Sequence, residues 1–299
     1  MRILLAGSAG QLGHELAIRL CGLGRLSTPS RAEFDLENLD SIRPTVDHAA
    51  PDIIINAAAH TNVDGAEQDP DRAFLVNGRA VAELAEAAAR TRAWLIHIST
   101  DYVFDGEADR PYRPDDTPRP LNVYGRSKLD GEHAIREAAP HAHIIRTSWL
   151  ISDRRRNFAL AMLDRAGQAE PLRIVNDQYG LPTTAHVLAD AIVRIIRHRM
   201  DQGASPQTSP VQTLHIAQGP ATTWYRLAQS VLEGVPDAPK LIPIHSGGYP
   251  SIARRPRHSV LDCADVIEHY GVRLPHWRES VREVVARARG RRSPLRSTA

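Results

Sequence analysis

A short apolar run, Ile3-Leu4-Leu5-Ala6, leads directly into Gly7-Ser8-Ala9-Gly10-Gln11-Leu12-Gly13 and then into an amphipathic stretch, Gln11 to Leu20, with Leu12, Leu16, Ile18 and Leu20 apolar. The uninterrupted apolar run suits a strand buried on both faces, and the stretch after it a helix. Gly7 permits a tight turn, Gly10 lets backbone approach a pyrophosphate, and Gly13 lets the helix pack close on the strand. The helix start adds N–H groups and a positive dipole end. The turn is therefore read as dinucleotide-binding, against the plainer reading of a structural Gly-rich turn.

The strand–helix alternation then repeats. Leu39 to Ala50 is predicted helical, Asp52 to Asn56 a buried strand, Ala66 to Arg90 a long interrupted helix and Trp94 to Ile98 a strand. Asn122 to Ala138 follows as a helix and His143 to Arg146 as a strand. Such alternation predicts right-handed crossovers and a Rossmann-type, doubly wound parallel α/β sheet. After Trp149 the rhythm changes to helices near 157–166, 184–199, 224–232 and 276–288 between Pro- and Gly-bearing loops. The expected division is a cofactor-binding domain over 1–150, a smaller C-terminal α/β substrate lobe over 151–292 with segments free to return to the sheet, and a frayed tail over 293–299. Asp201 to Gln212 is the flexible-loop candidate.

Composition excludes several classes. Lys plus Arg total 37 and Asp plus Glu 35, a formal charge of +2, so neither a strongly basic nucleic-acid binder nor an acidic disordered chain is indicated. The basic pI of 8.7 is traced to Arg287, Arg289, Arg291, Arg292 and Arg296, read as a solvated end. Cys21 and Cys263 stand far apart with no His/Cys cluster nearby, which predicts no disulfide scaffold or zinc site and a reducing compartment. The N-terminal apolar run is too short for a signal segment, and no stretch approaches the roughly 18 apolar residues of a membrane span. A cytoplasmic chain without nucleic-acid or membrane partners is expected.

Three further places bear on chemistry. No carboxylate occurs between Glu15 and Glu33, so Arg31, beyond the second expected strand, is read either as a partner for a 2′-phosphate, favouring NADPH with NADH possible, or as a surface charge. Asn56 to Thr61 follows the third strand at the edge where ligands of parallel sheets bind, and its small residues admit a close cofactor. Tyr124 and Lys128 are four apart on one predicted helix face, after Ser99-Thr100-Asp101-Tyr102 at a strand end. An ammonium beside a phenol brings it nearer the working range of an acid–base catalyst, and Thr100 can bond a substrate carbonyl or orient the phenol. Tyr124, Lys128 and Thr100 are the catalytic candidates; the plain alternative is a solvent-facing turn.

With these residues in view, the chain resembles the extended short-chain dehydrogenase/reductase superfamily, and within it the dTDP-4-dehydrorhamnose reductase family. The phrases GSAGQLG, NAAAHTNVDGAE, STDYVFDG, PLNVYGRSKLDGE, RTSWL and NDQYGLPT carry the likeness from residue 7 to 183. The resemblance implies reduction of the C4 keto group of a dTDP-linked 4-keto-6-deoxysugar by NAD(P)H in dTDP-rhamnose and cell-surface polysaccharide synthesis. Tyr124 would donate the proton, Lys128 hold the ribose and Thr100 orient the C4 oxygen. It further implies that Gly10, Gln11, Leu12, Asp35, Leu36, Ala59, His60, Thr61 and Ile98 line the cofactor. Asp101 and Trp149 would meet the sugar, and Asn176 to Gly180 with Pro182-Thr183 would shape the lobe. Asp35 is otherwise a helix N-cap and Trp149 a core residue. Asn157-Phe158 is family-like, but a helix start followed by a core aromatic accounts for it.

The sequence also departs from the family. Some relatives are thought to form dimers around magnesium held by glutamates; here Glu15 is present but His186 stands where a second acid is expected, so no metal is assigned and a homodimer stays possible. Arg255, within Arg254-Arg255-Pro256-Arg257, is assigned to the substrate diphosphate, against a solvated basic loop. Two other functions stay open: a nucleotide-sugar epimerase or dehydratase, or a non-catalytic regulatory subunit like methionine adenosyltransferase beta.

Overall fold

The computed structural model describes residues 1–139, 141–202 and 211–292. Most of the flexible-loop candidate, and all of the expected frayed tail, lie outside the described residues. The first half runs β1 (Arg2–Ala6), α1 (Gln11–Leu20), β2 (Arg25–Ser27), α2 (Ile42–Ala49), β3 (Ile53–Asn56), α3 (Val63–Gln68), α4 (Pro70–Phe74), α5 (Ala80–Thr91), β4 (Trp94–Thr100), α6 (Val123–Ala138) and β5 (Ala142–Thr147). The second half continues with β6 (Leu150–Ile151), α7 (Phe158–Leu163), β7 (Leu172–Val175), β8 (Tyr179–Gly180), β9 (Thr183–Thr184), α8 (Ala185–Asp201), β10 (Gln212–His215), β11 (Thr222–Thr223), α9 (Trp224–Leu232), β12 (Leu241–Ile244), α10 (Ala264–Tyr270) and α11 (Trp277–Arg292). Among the described residues, no helix is long and apolar enough to cross a membrane.

Six parallel strands form the central sheet in the order β10-β5-β4-β3-β1-β2. The apolar strands pack on both faces because their side chains alternate. Ile3, Leu5, Ile53, Ile55, Trp94 and Ile96 join α1 and α8 on one side. Leu4, Ala6, Ile54, Leu95 and Ile144 join α2 and α5 on the other. From β1 the chain passes to β2 on one side and returns to β3 on the other, so the crevice opens at the carboxyl ends of β1 and β3.

The second half is not one continuous lobe in space. Helix α8 packs on the sheet and β10 pairs with β5. A separate core, with Met162, Leu163, Leu227, Val231, Trp277 and Val281, gathers α7, α9 and α11. Helix α11 extends to Arg292, and Arg291 pairs at 3.0 Å with Asp153, whose side chain is only 4% exposed. Arg287, Arg289 and Arg291 are exposed, as expected of a solvated end, and Arg291 adds this one tie to Asp153.

The long helix expected over Ala66–Arg90 is broken. Asp69 accepts from the Arg72 amide at 3.1 Å, Pro70 starts α4, and residues 75–79 form a π-turn before α5. The π-turn buries Asn77, which accepts from the His60 amide and donates to the His60 carbonyl and the Ser127 hydroxyl. Segment 57–61 is thereby tied to α6.

Helix α6 is fixed on the sheet by a buried ion pair. The Arg146 guanidinium, from β5, donates to both carboxylate oxygens of Glu132 at 2.9 and 2.7 Å, and Ser99 donates to the same group at 2.6 Å. The side chains are 1% and 0% exposed. Burial alone would push the Glu132 carboxyl up, but Arg146, Ser99 and Arg136 outweigh it and hold it below the usual range. Its stabilisation is therefore full at neutral pH and is lost as pH falls below the ordinary carboxylate range. Glu132→Gln leaves Arg146 buried and uncompensated, so the unfolding free energy measured with urea is expected to fall by about 3–5 kcal/mol; a loss under about 1 kcal/mol contradicts this role.

Candidate active site

A cleft of about 640 Å³ lies at the sheet edge marked by β1 and β3 and is closed on its far side by the second half of the chain. Gly7, Gly10, Gln11 and Leu12 form one wall, Ala57, Ala58, Ala59 and Thr61 another, and Ile98, Thr100, Asp101, Tyr124 and Lys128 the floor. Trp149 faces them. The glycine turn has the geometry its sequence suggests. Gly7 has φ +79°, and a Cβ there would meet the Ala58 nitrogen at 2.8 Å. A Cβ on Gly13 would lie 2.0 Å from the Gly7 carbonyl oxygen, so this glycine serves the packing of α1 on the turn and lies outside the cleft lining.

Helix α6 carries the central pair. Asn122 caps it by accepting from the Gly125 amide at 2.8 Å, which sets Tyr124 in the first turn and Lys128 in the next. Thr100, the last residue of β4, lines the cleft beside Tyr124; its hydroxyl donates to Asp101 at 3.1 Å and accepts from the Tyr102 amide at 3.2 Å. Burial pushes the Tyr124 phenol up to about 12, outweighing the lowering influence of the nearby Thr100 hydroxyl, so it keeps its proton through neutral pH. Burial lowers Lys128 to about 8. Its Nζ donates to the Ile98 carbonyl at 2.7 Å and lies 3.0 Å from His97 Nε2. The amine is thus turned to the sheet, and the expected lowering of the phenol by Lys128 is absent because desolvation dominates both groups. Burial raises Asp101 to about 7.

Several expected residues stand elsewhere. Leu36 is in the core below the sheet, and the Asp35 carboxylate accepts from the Glu37 amide at 3.0 Å within a turn that starts no helix. Arg31, 70% exposed, pairs with Glu37 at 2.5 Å. His60 is held by its backbone on Asn77 and its buried Nε2 has no hydrogen-bond partner. Arg255 pairs with Asp64 at 2.9 Å and its charge lies near the Tyr102 phenol, itself on the cleft wall, so it adjoins the cleft from behind. Glu15 pairs with Arg19, and His186 lies 3.5 Å from Glu283; no cluster able to hold a metal occurs among the described residues.

The sequence reading missed part of the wall. Arg155, Arg156, Asn157, Phe158 and Trp224 all line the cleft. Arg155 donates to the Ala9 carbonyl at 2.8 Å, and the Ser152 hydroxyl donates to the Gln11 side chain at 2.8 Å, so loop 152–157 straps the glycine turn. Only the run of three arginines before Asn157 signalled this. Trp149, at φ +44°, stacks on Trp224 with ring centroids 3.6 Å apart, and Phe158 packs against Trp224 at 4.8 Å. A Cβ on Gly180 would fall 2.5 Å from the Trp149 ring. Gly180→Ala is therefore expected to drive Trp149 off Trp224, abolishing the exciton signal of the stacked pair in circular dichroism and costing about 1–3 kcal/mol of stability; an unchanged spectrum contradicts it.

The arrangement suits a dinucleotide. The backbone cradle would be filled by added methyl groups, Thr147 offers an unpartnered hydroxyl oxygen on the lining, and Arg155, Arg156 and Lys128 supply positive charge. Comparison with known proteins agrees. Residues 1–289 match the family described as RmlD substrate binding domain. The chain is 40% identical over 297 residues to dTDP-4-dehydrorhamnose reductase of Escherichia coli K12, covering 95% of this chain and 97% of that protein. Among solved structures it is similar to a dTDP-4-dehydrorhamnose reductase from Clostridium acetobutylicum, with TM-score 0.88, 31% identity and coverage of 96% and 99% of the two chains. It is also similar to the Bacillus anthracis reductase in complex with NADP, with TM-score 0.87, 28% identity and coverage of 95% and 98%.

Proposed function

The chain belongs to the RmlD substrate binding domain family, and from that premise we propose that it is an NADPH-dependent reductase of the C4 keto group of dTDP-4-dehydro-L-rhamnose, forming dTDP-L-rhamnose. The observation that carries the reading is the convergence of Thr100, Tyr124 and Lys128 on one cleft with the glycine turn. NADPH is the cofactor, in keeping with the NADP-bound relative, and NADH is the weaker alternative.

Gly7 to Leu12, Ala59, Thr61, Ile98, Tyr124 and Lys128 would hold the cofactor. When bound, its nicotinamide supplies a hydride to the carbonyl carbon. The buried phenol of Tyr124 holds its proton at neutral pH and delivers it to the C4 oxygen as negative charge develops there. Thr100 orients that oxygen by a hydrogen bond. Lys128, one turn along, would hold the ribose of the cofactor beside the phenol. The Trp149–Trp224–Phe158 wall packs the apolar face of the deoxysugar and excludes water, and Asp101 meets its hydroxyls. Arg255 stands behind Tyr102 as the basic group for the substrate diphosphate.

In this reading residues 1–150 chiefly hold the cofactor and 151–292 chiefly shape the substrate site. The chain works in the cytoplasm, where nucleotide sugars and reduced cofactor are made, as a monomer or a homodimer. The presence of all three catalytic candidates in one cleft counts against a purely regulatory subunit. Purified protein is expected to oxidise NADPH in step with loss of the dTDP-linked 4-keto sugar, and Tyr124→Phe to lower kcat by about 10²–10⁴-fold with little change in cofactor affinity. Folded wild-type protein that leaves NADPH unoxidised, or a Tyr124→Phe variant with full kcat, contradicts it.

A further inference from the structure

Arg155 stands in the left-handed backbone region at φ +57°, a conformation that a residue with a side chain adopts only at a cost. Such an outlier beside a cleft points to a use for the residue that holds it. Asn157 supplies the restraint. Its Nδ2 donates to the Ser152 and Arg155 carbonyls at 2.8 and 3.1 Å, while its Oδ1 accepts from the Leu160 amide at 3.2 Å and caps α7. Held in this way, the Arg155 side chain crosses from the second half of the chain to the glycine turn. There its Nε donates to the Ala9 carbonyl at 2.8 Å, and the residue joins Gly7, Ala9 and Gly10 on the cleft lining. The bond to Ala9 occupies one donor of the guanidinium and leaves the rest of the planar fork free. Exposed arginines elsewhere, such as Arg31, Arg43 and Arg90, are paired with acids. Among the described residues no carboxylate pairs with Arg155, and Asp153, two positions before it, is taken by Arg291 at 3.0 Å.

The turn that Arg155 reaches also lacks an anion of its own. Gly10 caps α1 without a side-chain acceptor and the first turn of that helix carries no acid, so its N–H groups and the positive end of its dipole are left for a ligand. The one carboxyl on the cleft lining is Asp101 on the floor, against three cations, Lys128, Arg155 and Arg156. A diphosphate matches this end of the cleft in charge, and its paired oxygens match the guanidinium fork. We propose that Arg155 is a binding residue for the diphosphate of the dinucleotide, a cation that the second half of the chain lays over the glycine turn so that the ligand is gripped from both halves. The inference rests on the dinucleotide reading of the cleft and adds to it a residue outside the first 150. The anchor on Ala9 decides between the two diphosphates that the proposed reaction brings together: a guanidinium tied to the glycine turn serves the cofactor, and Arg255, behind Tyr102, is left to the substrate.

Calorimetric titration of the full chain with NADPH, NADH and dTDP reads the candidate anions separately. Arg155→Gln is expected to weaken NADPH and NADH by a similar factor, about 10-fold or more, and dTDP by less than about 2-fold. Arg155→Lys, which keeps the charge and loses the fork, should fall between wild type and Arg155→Gln for both cofactors. A loss confined to NADPH would place Arg155 on the 2′-phosphate, a loss confined to dTDP would place it on the substrate, and equal losses for all ligands would mark a collapsed strap; each of these overturns the proposal. Should Arg155→Gln not fold, the wild-type chain decides through phenylglyoxal labelling of Arg155 read by mass spectrometry: protection by saturating NADH and not by dTDP supports the proposal, and labelling unaffected by NADH overturns it. Wild-type protein that binds neither cofactor overturns the dinucleotide reading itself, whereas cofactor binding that Arg155→Gln leaves intact overturns the role of Arg155 alone.

Discussion

The ion pair between Glu132 and Arg146 is the contact on which the site's geometry depends. Two charges out of water are costly, and the pair is favourable here because the guanidinium meets both carboxylate oxygens while Ser99 and Arg136 supply further donors. Its effect is positional. Tyr124, Lys128 and Glu132 recur every four residues and share one face of α6, so anchoring the third against β4 and β5 sets the first two against Thr100 and Ile98. The guanidinium also lies over the Phe104 ring, 5.0 Å from its centroid, which ties the segment after β4 to the same anchor.

The cleft is built between two kinds of structure. On one side are a parallel sheet and a backbone cradle, rigid because a Cβ at Gly7 or Gly13 would strike backbone. On the other are loop 152–157 and the start of α9, which bring arginines and stacked aromatics to the cradle from the second half of the chain. Trp149 adopts a left-handed backbone conformation unusual for a large side chain, and the stack on Trp224 together with the absence of a side chain at Gly180 holds it there. Arg291 on the final helix reaches back to Asp153 at the base of the strap, so even the basic end of the chain supports the cleft.

Features set by local sequence were legible before the fold was known. The strand–glycine–helix start, the alternation that builds the sheet, and Tyr124 with Lys128 on one helix turn all follow from spacing and residue type. Features set by tertiary contact were not. The π-turn at 75–79 exists because Asn77 is drawn into bonds with His60 and Ser127, which no helical periodicity reveals. Trp224 reads as an ordinary helix start until Trp149 is found against it. At Asp35 and Leu36 the structure adds what residue type alone does not carry: the turn after β2 buries Leu36 and engages the Asp35 carboxylate with the Glu37 amide.

On the proposed function, the cleft brings a nicotinamide and a keto sugar together so that a hydride passes directly between them. The most direct measurement is product analysis after turnover with NADPH carrying deuterium at the transferable C4 position of its nicotinamide. One deuterium is expected in each sugar product, at C4, when the labelled face is the transferred one, and none when the opposite face is labelled. Product that is free of deuterium with both labelled cofactors would contradict it.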